Sequence, residues 1–155
     1  TRRFAFEKLA TFDAAMWEGM KAAVQPRVPA VSFFGSDRDA GAIRMASDNA
    51  RRAGVSAFTQ FRQQSVSDLA RPEGPAGLVF VNPPYGTRIG DKKPLFALYA
   101  ALGQVLRARF AGWRVGIVTT DAALARATEL PFLEPAPPVL HGGLKVRLYR
   151  TLPLA

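Results

Sequence analysis

Residues 78–90 read LVFVNPPYGTRIG, and this stretch decides how the chain is organised. Four apolar residues run straight into an amide, two prolines and an aromatic ring. The apolar run has the length and composition of a buried strand. Its end is abrupt, because Pro83 and Pro84 lack backbone N–H groups and cannot extend a ladder. Their carbonyl oxygens remain, held in a stiff bend beside the side-chain oxygen of Asn82. Tyr85 adds a flat face on which a planar ring can stack. Two acceptors beside a stacking surface suit an exocyclic amine on a conjugated ring. Such an amine is a weak nucleophile because its lone pair is delocalised. Gripping both N–H groups would localise that pair for attack without a side-chain base. The plainer alternative is a Pro-Pro turn closing a strand, with Asn as an ordinary turn former.

On either side of this stretch, helix and strand signals alternate. Phe12, Met16, Met20 and Val24 share one helical face, with Trp17 beside them, and predict a helix over 11–25. Pro26 and Pro29 break it. VSFFG (31–35) reads as a short buried parallel strand. From Asp39, the run AGAIRMASDNARRAG puts Ile43, Ala46 and Ala50 on one face, with Gly54 as the helix stop. Residues 57–61 suggest a further strand. Leu95, Leu98, Leu102, Val105 and Leu106 mark a helix over 94–110, with Pro94 suited to its first turn. RVGIVTT (114–120) reads as a strand and Asp121 as the cap of a following helix. LHGGLKVRLYR (140–150) suggests a hairpin turning at Gly-Gly. The pattern is α/β: a parallel sheet with helices on both faces, finished by an antiparallel hairpin. In open sheets of this kind ligands sit outside the carboxyl ends of the strands. Asp37 and Asn82 stand at two such ends.

The chain has 155 residues, 48% of them hydrophobic, which is one domain's worth of core. Its net charge of +9 points to a polyanionic partner, nucleic acid first, although an Arg-rich surface is the blander reading. There is no cysteine, so disulfides and thiolate metal sites are excluded, which fits a reducing cytoplasm. No apolar run reaches membrane-spanning length, and no signal peptide is visible. No metal-ligand spacing is seen. His141, the single histidine, reads as structural in its turn, and Trp17 and Trp113 as core aromatics.

Asn82-Pro83-Pro84-Tyr85 resembles motif IV of the amino-group methyltransferases that use S-adenosylmethionine. The wider chain is similar to the catalytic domain of the bacterial large-subunit rRNA guanine-N2 methyltransferases, a group also labelled N6-adenine-specific DNA methylases. FFGSDRDAGAIRMASDNARRAG, the NPPYG segment and FAGWRVGIVTT carry the likeness over residues 4–151. It implies a Rossmann-like class I sheet and a methyl transfer to a base amine, with rRNA favoured over DNA. Asn82 and the Pro83 carbonyl would orient the amine, and Tyr85 would stack on the base. Asp37 would accept from the cofactor's ribose hydroxyls, with Asp39 as the other candidate for that role. Asp68 would reach the cofactor's adenine, unless Ser65 does so. Arg88, Lys92 and Lys93 would hold phosphates flanking an extruded base.

One family element is missing from the sequence. The first motif, a strand and a Gly-rich loop around the methionine part of the cofactor, occurs nowhere in the 155 residues. Nor does the THUMP RNA-binding domain that members of the group usually carry upstream. The chain therefore reads as a partial catalytic domain, residues 1–155. The expectation is that it binds the cofactor poorly and is inactive in isolation, and that exposed sheet edges favour self-association. A non-catalytic basic nucleic-acid-binding module is the alternative from another class.

Overall fold

The structure is a computed structural model and describes residues 3–25, 27–85 and 93–155. It divides into two compact units, Thr1–Ser32 and Phe33–Ala155.

In the first unit Asp13 accepts from the Met16 amide at 2.9 Å and so caps helix α1 (Ala14–Ala23). The expected Phe12/Met16/Met20/Val24 face is not what the helix covers: Met16, Met20 and Val24 are exposed. Aromatic packing wins instead. Trp17 meets the Phe4 and Phe6 rings edge-on at 5.9 and 5.1 Å, and Phe6 also touches Phe12. Trp17 is thus the centre of a local cluster and not a residue of the main core.

Among the described residues the second unit carries six strands in two sheets. β1 (Phe33–Asp37) and β2 (Thr59–Gln63) form a parallel pair. Helix α2 (Ala40–Arg52) packs on that pair, and Gly54 ends it at φ +71°, a conformation that favours glycine. The other sheet has the order β3-β4-β6-β5, from β3 (Leu78–Val81), β4 (Arg114–Thr119), β5 (Val139–His141) and β6 (Leu144–Arg150). β3 and β4 are parallel, and β6 returns antiparallel beside β4 as half of the expected hairpin. Among the described residues the parallel sheet is therefore not continuous. β1 pairs only with β2, and β3 only with β4 on its own side, so each leaves one hydrogen-bonding edge unpaired. That is why the apolar side chains of these strands are not buried as a central strand's would be: Phe33 and Phe34 are 53% and 46% exposed, Leu78 and Phe80 61% and 60%.

The core lies between the larger sheet and helix α3 (Lys93–Arg109). Leu95, Tyr99, Leu102, Val105 and Leu106 of α3 meet Val115 and Ile117 of β4, with Phe110, Trp113, Leu124 and Leu130. Tyr99 takes the fully buried place on this helix face, and Leu98 is only half-buried. Helix α4 (Ala122–Ala127) is capped by Asp121, whose Oδ1 accepts from the Ala123 amide at 2.8 Å. Its C-terminal turn presses on α3 so closely that a Cβ on Gly103 would lie 1.8 Å from the Thr128 carbonyl oxygen. The half-buried Val66 and Leu69, in the turn after β2, pack against the same core. Arg109 ties that turn to α3 by donating to the Ser67 and Leu69 carbonyls at 3.1 and 2.9 Å. Among the described residues no helix is long and apolar enough to cross a membrane.

Candidate active site

The last ladder pair of β3 is Val81 with Ile117. Asn82 therefore emerges just beyond the sheet, where the two prolines leave no N–H to continue it. Asn82 and Pro84 are exposed, Pro83 is buried, and Tyr85 is half-buried with its ring packed against the core. Among the described residues no hydrogen bond engages the Asn82 side-chain amide. The turn is thus anchored through Pro83 and Tyr85 and leaves Asn82 and Pro84 exposed.

Below the turn lies a group of residues that the sequence reading did not single out. The Tyr99 hydroxyl approaches the Pro84 carbonyl oxygen at 3.5 Å, with the Thr119 side chain as a polar neighbour. Thr119, at the end of β4, is fully buried and accepts from the Asp121 amide at 3.2 Å. Burial raises the Tyr99 pKa above its ordinary 10.0; Asp121 and Tyr85 push the same way, and Thr119 opposes them. The signal that could have found Tyr99 is its spacing. It stands four residues after Leu95 and three before Leu102, in register with the core face of α3.

The acidic candidates belong to the other half of the unit. Asp37 ends β1 and is exposed; its Oδ1 accepts from the Asp39 amide at 2.9 Å. Asp39 is the cap of α2, its Oδ1 accepting from the Gly41 amide at 2.6 Å. Each of the two aspartates thus engages one carboxylate oxygen with a nearby backbone amide. Asp68 is exposed, and its Oδ2 accepts from the Ser65 hydroxyl at 2.7 Å. The two alternatives for the adenine contact are therefore one hydrogen-bonded pair. Among the described residues no hydrogen bond or ion pair joins Asp37 or Asp68 to the Asn82 turn. Arg88 and Lys92 lie outside the described residues. Lys93 is the exposed first residue of α3. No three His, Cys, Asp or Glu side chains gather in metal-binding reach among the described residues.

Chemically, the two halves offer complementary surfaces at strand ends. One has a carboxylate suited to sugar hydroxyls. The other has amide and carbonyl acceptors beside an aromatic ring, suited to a planar amine.

Solved structures share this fold. A possible methylase from Clostridium difficile 630 superposes with a TM-score of 0.78 over 99% of this chain and 41% of its own, at 26% identity. SMU.472, assigned as a methyltransferase and complexed with SAH, gives a TM-score of 0.76 at 26% identity over the same shares. A predicted N6-adenine-specific DNA methylase from Listeria monocytogenes str. 4b F2365 matches 77% of this chain and 30% of its own, at 29% identity and a TM-score of 0.64. The chain thus spans about two fifths of the length of the first two structures. Residues 1–136 match the sequence profile of UPF0020, described as RMKL-like, methyltransferase domain. That match covers most of the α/β unit, including both strand ends that carry Asp37 and Asn82, and the chain belongs to this methyltransferase-domain family.

Proposed function

We propose that the protein transfers a methyl group from S-adenosylmethionine to an exocyclic amine of a nucleic-acid base, with guanine N2 of large-subunit rRNA favoured over adenine N6 of DNA. The observation that carries this reading is the exposed Asn82 on a proline-stiffened turn at the carboxyl end of β3. The cofactor class is supported by SMU.472, which binds SAH. Nucleic acid as substrate is supported by the net charge of +9 and by the resemblance to the Listeria protein. The rRNA preference rests on the sequence resemblance alone.

The donor set fits the cofactor in part. Asp37, exposed at the end of β1, offers its carboxylate to the ribose hydroxyls, and the Ser65–Asp68 pair offers an acceptor for an adenine amino group. When bound, the sulfonium supplies an electrophilic methyl group. The chain's own work is positioning. The Asn82 oxygen and the Pro83 carbonyl accept the two amine N–H bonds and turn the nitrogen lone pair towards the methyl carbon. Tyr85 supports the base plane. Arg88, Lys92 and Lys93 hold the flanking phosphates.

The 155 residues are read as part of a larger catalytic domain. Two features support this: the absence of a Gly-rich loop from the sequence, and the unpaired edges of β1 and β3 among the described residues, whose exposed phenylalanines lack the cover that a parallel sheet needs. In the test, the full-length protein is assayed for methyl transfer from labelled S-adenosylmethionine to rRNA and to duplex DNA. Asn82→Ala is expected to abolish turnover while leaving RNA affinity largely intact. Full turnover by Asn82→Ala would refute the amine-clamp reading, and labelling of DNA alone would replace the rRNA preference.

A further inference from the structure

Tyr99 presents a problem that its helix face does not solve. The side chain is 0% exposed within an otherwise apolar core, where phenylalanine would fill almost the same space without a polar atom to satisfy. The hydroxyl must therefore be held by its partners, and those partners run in a chain. The Asp121 amide donates to the Thr119 Oγ1 at 3.2 Å. The fully buried Thr119 side chain is a polar neighbour of the Tyr99 hydroxyl, which reaches the Pro84 carbonyl at 3.5 Å. Read as donors and acceptors, each hydroxyl in this chain can accept from one neighbour and donate to the next. The phenolic proton is then directed at the turn.

We propose that Tyr99 is a positioning residue for the methyl transfer. With Thr119 beside it, its hydroxyl donates to the Pro84 carbonyl and fixes the bend that carries Asn82 and Pro83. The inference rests on the function proposed above and names a part of the machinery not contained in the Asn-Pro-Pro-Tyr motif. The 3.5 Å separation is long for an O–H···O bond. Bonds that serve a reacting site are often long in the free protein and shorten when substrate loads the site. The acceptor belongs to Pro84, which lies between the buried Pro83 and the half-buried Tyr85, so a small rotation there moves the turn directly.

Methyl transfer by the full-length protein is measured for Tyr99→Phe, Thr119→Val and the double variant, with Asn82→Ala as reference. Amide hydrogen exchange at Tyr85 and the thermal midpoint are followed in parallel. Misplacing a reacting group costs rate at the chemical step and not in cofactor binding. Tyr99→Phe is therefore expected to lower kcat by roughly tenfold or more with KM for S-adenosylmethionine unchanged, and to speed exchange at Tyr85. Because both residues serve one chain, the double variant should be no slower than the slower single. A Tyr99→Phe protein with unchanged kcat and unchanged Tyr85 exchange overturns the proposal, as does a fall in midpoint with kcat unchanged below it. If Tyr99→Phe fails to fold, the same outcomes are read from Thr119→Val. Unaltered turnover in Asn82→Ala removes the proposed function itself, and the role of Tyr99 with it, whereas loss in Asn82→Ala with none in Tyr99→Phe removes only the latter.

Discussion

Gly103→Ala sets two known effects against each other, and the structure decides the sign. Gly103 lies one turn beyond Tyr99 on the buried side of α3. In a helix interior, alanine is better than glycine by about 1 kcal/mol. Against this stands the added Cβ, which would meet the Thr128 carbonyl oxygen at 1.8 Å, its carbon at 2.5 Å and its Cα at 2.6 Å. All three are backbone atoms, so no side-chain rotation relieves the overlap; α4 and its turn must withdraw by more than an ångström. That turn is tied down. Arg107 donates to the Thr128 carbonyl and pairs with Glu129 at 2.9 Å, and the buried Thr128 hydroxyl donates to the Ala125 carbonyl at 2.7 Å. Overpacking costs ~1–3 kcal/mol or more, and losing the charged donor's bond to Thr128 adds ~1.5–3 kcal/mol. After subtracting the helix gain of about 1 kcal/mol, a net loss of about 1.5–5 kcal/mol is expected. For a domain of this size that lowers the midpoint by roughly 3–20 °C. Thermal unfolding followed by circular dichroism measures it. A midpoint equal to or above the parent's would show that helix propensity wins and that α3 and α4 are not packed as described.

The two aspartates of the β1–α2 turn should separate cleanly. Asp39→Ala removes a helix cap and is expected to cost ~0.5–2 kcal/mol of stability; Asp37→Asn is expected to weaken S-adenosylmethionine binding in the full-length protein while leaving the midpoint near the parent's. Isothermal titration of the isolated 155 residues should detect no micromolar binding of S-adenosylmethionine, and light scattering should find species larger than a monomer, through the open edges of β1 and β3. Tyr99 also predicts an alkaline limit. Its pKa is raised in the folded state, so the stability it contributes is intact below pH 10.0 and declines as pH rises through its folded value. Denaturant midpoints taken on both sides of that pH should fall less in Tyr99→Phe than in the parent.

The local structure was largely legible in the sequence. LVFV predicts β3 at its observed bounds, Asp121 caps α4 as its position implies, and Gly142 and Gly143 turn the hairpin at φ +55° and +81°. These features depend on a few neighbouring residues: strand-forming side chains, a carboxylate within reach of the next amides, glycines free to adopt positive φ. The acceptor character of Asn82-Pro83-Pro84 is legible for the same reason, since it follows from covalent structure. What the chain alone did not disclose depends on partners distant in sequence. VSFFG and LVFV read as buried strands, yet Phe33, Phe34, Leu78 and Phe80 are exposed because pairing on both sides, not composition, makes a strand central. Met16 and Met20 have the right period but lose to aromatic rings that only the folded first unit brings together. Tyr99 is anonymous on its helix until tertiary packing sets its hydroxyl against Pro84, 15 residues earlier, and Thr119, one strand away. Residue chemistry determines what the turn can bind, but the direction in which it points depends on how the turn packs against α3 and β4.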